Sequence, residues 1–286
     1  MIKRAAASLV LALLLDGSTG ALQPKPVLQA ILSVARDALG ESDDDVWSAT
    51  EIERMATSVR AKLRANPELS PVTALNEIVF GTLKFVREVD DADLRYVLLP
   101  SVLKSRRGSC VGLGTLYLAL GEALGWPAAG VMVPGHFFVR VGERGRLRNV
   151  ELLRRGEEMP DSWYEARFPG PSPGVSEYAR GLDLREVLGI IEYDVGNDRK
   201  RKGRLLEARR SYESATRDFP ALAEAHASLG ATFHLLGALD DAERSYQAAK
   251  RANPGLPGVD ANIDLLHQER TGEAEWASPG SETTLR

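Results

Sequence analysis

Shifted by 34 residues, the last third of the chain falls on itself. Gly196 lands on Gly230, Gly203 on Gly237 and Ala208 on Ala242, and then Tyr212 on Tyr246, Ala215 on Ala249 and Pro220 on Pro254. Small residues at fixed sites let two helices pack closely, and a closing proline ends the second of them. The repeat therefore predicts two helix-turn-helix units, at 189–222 and 223–256, followed by a terminal helix over 257–270 and a loose polar tail at 271–286. Two units are fewer than a stack of repeats needs to stand alone. The pair is expected to dock on the preceding domain, with the join near 186, beyond the proline-glycine break PGPSPG at 169–174.

A period of 34 with these residues is the tetratricopeptide pattern, and it predicts a module (186–270 with its capping helix) that binds a protein partner. Within it, Arg199-Lys200-Arg201-Lys202 falls where the first unit turns and reads as a solvated turn. His226 and His234 lie eight apart with no other ligand type clustered near them, so no metal site is expected.

Before the repeats the pattern changes. Residues 27–39, a segment from near Val46 capped by Ser42-Asp43-Asp44-Asp45, and residues 71–88 and 92–104 read as helices. Residues 128–141 and 147–153 are β-branched and aromatic and read as strands around a glycine-bearing turn at 142–145. The fold class is thus α+β over 22–185, followed by an all-α pair of helical units.

With 286 residues, the chain has a net charge of -4 and a pI near 5.7, which argues against nucleic acid as a partner. Residues 1–21 pair Lys3 and Arg4 with an apolar run at 5–15, the layout of a signal peptide. This predicts an exported, periplasmic protein, or a cytoplasmic one if the signal is not genuine. No later stretch is long and apolar enough for a membrane span. The glycines of GSCVGLG lack a G-K-[ST] ending, and no cofactor is expected.

The chain has a single cysteine, Cys110, which excludes an internal disulfide and thiolate zinc clusters. Gly108-Ser109-Cys110 opens a predicted helix with an apolar stripe at Leu113, Leu116, Tyr117, Leu120 and Leu124, ended by Gly125 and Pro127. Cys110 falls on that stripe in the first turn, where unpaired amides and the helix dipole favour a thiolate. His136 is the one histidine ahead of the repeats. It shares a strand face with Phe138 and Arg140, while Leu147, Asn149, Glu151 and Leu153 share a face of the next strand. A four-residue loop sets Glu151 directly opposite His136; a two-residue loop sets it diagonal, on the same face. Cysteine, histidine and acid in this order meet the needs of a thiol triad, in which a base reaches the sulfur and a third group fixes its tautomer.

The stretches RRGSCVGLGTLYLALGEALGWPAAGVMVPGHFFVRV and RNVELLRRG resemble the transglutaminase-like superfamily. The likeness is to its bacterial SirB-type branch, which carries tetratricopeptide repeats after the core. The resemblance implies a papain-like core and a Cys-His-Asp triad, with Cys110 as nucleophile, His136 as base and Glu151 in the place of the aspartate. Asn149, on the same strand face, is the alternative third member. The resulting expectation is a thiol enzyme acting on amide bonds of a peptide or protein substrate, by hydrolysis or acyl transfer. The branch also holds members without the cysteine, so the alternative is a non-catalytic adaptor that binds a partner through the repeats.

Overall fold

The computed structural model describes residues 24–40, 44–88, 93–143, 145–169 and 178–271. The expected signal at 1–21, half of the cap at 42–45, most of the break at 169–174 and the tail after 271 lie outside the described residues. Helix predominates, around one small antiparallel sheet.

Helix α1 (Pro26–Leu39) has no side-chain cap of its own. The Glu122 carboxylate supplies it, accepting from the amides of Val27 (2.8 Å) and Leu28 (3.1 Å). Helix α2 (Asp44–Ala65) opens on Asp44 and Asp45, which complement the dipole. Helix α3 (Pro71–Asn76) is capped by Ser70 and passes into a π-helical turn, Glu77–Thr82. The helix expected over 71–88 therefore ends early, because Lys84 takes a left-handed φ of 60°. Val86–Arg87 (β1) instead pairs in parallel with Arg107–Gly108 (β2). The helix expected over 92–104 is two pieces, a 3-10 turn (Leu94–Tyr96) and α4 (Leu99–Ser105). The extended backbone of Leu98 separates them, and Pro100 opens the second.

Helix α5 (Cys110–Leu124) is the hub. Nearly all of it is buried, so the expected apolar stripe is in fact an apolar cylinder. Three of its glycines make close contacts, Gly121 against the Ala128 methyl among them. A side chain at Gly112 would strike the Tyr96 carbonyl, and one at Gly114 would strike the Phe137 ring. Gly125, in the left-handed region at φ 72°, ends the helix.

The sheet is a meander of β3 (Ala128–Val133), β4 (His136–Glu143), β5 (Arg146–Glu151) and β6 (Glu157–Glu158). The β-rich stretch at 128–141 is a hairpin turning at Pro134-Gly135, with Gly135 at φ 69° and the second strand beginning at His136. Phe137, Val139, Val141 and Val150 join the main core with α5. Val131, Val133 and Phe138 pack on the opposite side against Tyr164 of α6 (Asp161–Arg167).

The chain then runs along the free edge of β3, where Ala179 N donates to Met132 O and Leu182 N to Gly130 O, both at 2.8 Å. Five helices follow: α7 (Leu184–Arg201), α8 (Leu205–Asp218), α9 (Ala223–Leu235), α10 (Leu239–Ala252) and α11 (Val259–Thr271). Asp183 and Glu186 form a capping box that starts α7 five residues ahead of the repeat boundary at 189. The 34-residue offset recurs as a contact, since Gly196 lies against the Tyr212 ring as Gly230 lies against Tyr246. Val187, Ile190, Ile191 and Val195 of α7 belong to the same apolar cluster as α1, α2 and α5. The basic run at the turn is tied down. Arg201 and Lys202 both bond Asp198, and Arg199 bonds the Ser211 hydroxyl. Among the described residues, no helix is long and apolar enough to cross a membrane, and no three His, Cys, Asp or Glu side chains are grouped to hold a metal.

Candidate functional site

Cys110 is the first residue of α5 and half-buried against the main core. Ser109 caps the helix by accepting from Gly112 N (3.3 Å), and Ser109 N donates to Tyr96 O (2.8 Å). The loop carrying Tyr96 thus pins the helix start. No acid lies in that first turn.

His136 is the first residue of β4, directly after the tight turn at Pro134-Gly135. Its neighbour Phe137 packs against Gly114, one turn beyond Cys110. The beginnings of α5 and β4 therefore lie at the same end of the helix-sheet layer pair.

Strands β4 and β5 pair with Glu143 opposite Arg146, so the loop between them has two residues. In this register Glu151 is diagonal to His136 on the same face, not directly opposite it as the four-residue loop would have it. The longer carboxylate side chain spans the diagonal. His136 Nε2 and Glu151 Oε2 are 2.8 Å apart, and the two side chains are only 6% and 2% exposed. The other oxygen, Oε1, accepts from Leu153 N (3.0 Å), which aims the carboxylate along the sheet. With Glu151 ionised, Nε2 carries the proton and donates, leaving Nδ1 as the basic nitrogen.

Asn149 lies opposite Arg140, away from the imidazole. Its Oδ1 accepts from Arg140 Nε (2.7 Å), and its Nδ2 donates to Met159 O (3.1 Å) and Asp161 Oδ1 (2.7 Å). The structure thus joins His136 to Glu151 and gives Asn149 to a separate network with Arg140 and Asp161.

Three residues that sequence reasoning passed over complete the surroundings. Phe168 stacks on His136 with centroids 4.7 Å apart and planes at 14°. Tyr164 stacks on Phe138 at 3.7 Å. Burial, and then the Glu151 charge beside it, push the Tyr164 phenol well above its usual range. Asp161 is held below the usual carboxylate range by the Asn149 hydrogen bond, with Arg140 adding to it against some burial. In the sequence, 161 and 164 share a helical stripe that ends just before Phe168, a pattern that does not say which sheet face it covers.

Residues 47–169 match the family model described as the transglutaminase-like superfamily. This segment is a transglutaminase-like domain. Cys110, His136, Asn149 and Glu151 all lie inside the matched span. Two curated relatives, each described as a UPF0162 protein, come from Xylella fastidiosa strains 9a5c and Temecula1. Both are 26% identical to this chain over 170 residues, covering 52% of it and 59% of their own length. The chain therefore spans less than two thirds of these relatives. The matched residues 47–169 hold α5, the four-stranded sheet and the site, while the helices from α7 onward lie outside them.

Proposed function

We propose that the transglutaminase-like domain is a cysteine-dependent enzyme acting on amide bonds of a peptide or protein, and that α7–α11 are tetratricopeptide units with a cap, of the SirB-type arrangement, that bind a protein partner. The observation that carries the proposal is the buried His136–Glu151 hydrogen bond at 2.8 Å, in a chain whose single cysteine, Cys110, opens helix α5. In this reading Nδ1 of His136 takes the Cys110 proton, and the thiolate sulfur adds to the amide carbonyl carbon. The oxyanion is held by backbone N–H groups at the start of α5. The imidazolium then protonates the leaving amine, a thioester remains, and water or a second amine resolves it into acid or new amide.

A second reading, a non-catalytic adaptor, is favoured by the Phe168 ring that covers one imidazole face and leaves His136 8% exposed. Iodoacetamide labelling separates the two. An activated Cys110 is alkylated well below pH 8 in the native protein, and His136→Ala slows the reaction tenfold or more. A thiol with ordinary pH dependence, indifferent to His136→Ala, overturns the enzymatic reading.

A further inference from the structure

Helix α6 lies along β4 as three rungs. Asp161 accepts from Arg140 Nη2 (2.9 Å) and from Asn149, Tyr164 stacks on Phe138, and Phe168 stacks on His136. Asp161 and Tyr164 lie on one face of α6, Phe168 follows its last residue, and residues 140, 138 and 136 form one strand face. The middle rung ends in an anomaly. The Tyr164 hydroxyl is buried and makes no hydrogen bond of ordinary geometry, although its ring stacks on Phe138, which the β4–β5 register sets opposite Glu151. A buried hydroxyl without a partner is costly and uncommon, so it calls for an acceptor. Glu151 accepts one bond on each oxygen, from His136 and from Leu153 N, and an ionised carboxylate has sites for about four.

We propose that Tyr164 is a positioning residue, its O–H donating a third hydrogen bond to Glu151 and keeping the carboxylate ionised and aimed at His136, with α6 as the clamp that holds it there. Its catalytic meaning rests on the thiol chemistry proposed above; its structural content does not. The donor acts through Glu151 and touches no substrate. Phe168 at the next rung holds the imidazole plane, and Asp161 anchors the start of the helix outside the pair.

The test uses the full chain with carboxyl-labelled glutamate, following the Glu151 carboxyl signal by NMR through an acid titration. Tyr164→Phe keeps the ring stack and removes only the donor. Its Glu151 titration is expected to move up by about one pH unit, the scale of one hydrogen bond to a charged group. Asp161→Ala, at an exposed position that contacts neither partner, is expected to move it the same way by less. The acid limb of Cys110 alkylation should follow in Tyr164→Phe. A Glu151 titration unchanged in both variants, or lowered in Tyr164→Phe, overturns the proposal. A shifted Glu151 signal with a Cys110 that never shows activated reactivity upholds the positioning role and sinks the thiol reading instead.

Discussion

Between His136 and Glu151, a charge and a ring share one buried hydrogen bond, and losing either partner leaves the other stranded in a medium that solvates it poorly. Glu151→Gln keeps the shape and removes the charge that stabilises an imidazolium. We expect it to slow Cys110 alkylation at pH 7 by about a hundredfold, within the usual range for losing acid-base assistance. Asn149→Ala should cost only a few-fold, because Arg140 still holds Asp161 and the imidazole loses no contact. Alkylation rates of both variants across pH decide the ranking, and a larger loss in Asn149→Ala would make this a Cys-His-Asn site. The pairing of residue types was legible in the sequence, since both candidate registers put Glu151 on the histidine's face. The exact register was not, because a turn of Gly142 to Gly145 suits either loop length. The cover by Phe168 and Tyr164 was hidden too, because it depends on α6 folding back across the sheet, which no local pattern reports.

At the scale of elements, sequence reading placed the ends of α5 but missed the break that Pro100 makes within 92–104 and the one that Lys84 makes after Pro71. Helix α5 begins and ends where Ser109 and Gly125 say it should. The helix after Pro71 stops through a left-handed Lys84, a conformation that lysine does not advertise. The repeat glycines carry the most specific message. An added Cβ would come within 2.5 Å of the Tyr212 ring at Gly196, and within 2.7 Å of the Tyr246 ring at Gly230. Alanine gains about 1 kcal/mol of helix propensity over glycine, but the overpacking costs about 1–3 kcal/mol. Gly196→Ala and Gly230→Ala are therefore expected to lower the thermal midpoint by a few degrees. Gly81→Ala, which would meet only the Glu77 Cβ at 3.9 Å, should hold or raise it. Equal stability of all three variants would show that the tyrosines yield and that the helix contact is loose.

At the scale of the whole molecule, the helical pair and the transglutaminase-like domain share a core. Leu182, Val187, Ile190, Ile191 and Val195 bury their side chains in the same cluster as α1 and α5, and Phe219 and Leu222 extend it into the first helical pair. Tyr178 adds a polar tie, donating to Glu224 Oε1 (2.9 Å) while Asn253 Nδ2 reaches its oxygen at 3.3 Å, so the segment on the β3 edge also grips the second pair. Each large apolar side chain exposed by separation costs about 1.5–3 kcal/mol, and several are exposed at once. That sum is comparable with the stability of a small domain. Residues 183–271 expressed alone should keep a helical circular dichroism signal but unfold over a broad range, well below the midpoint of the full chain, and should self-associate through the bared face of α7. Sedimentation and thermal melts of the fragment give the reading. A monomer that melts sharply at the full-chain midpoint would mean that α7–α11 need no support from the sheet domain, and that the shared core is contact without dependence.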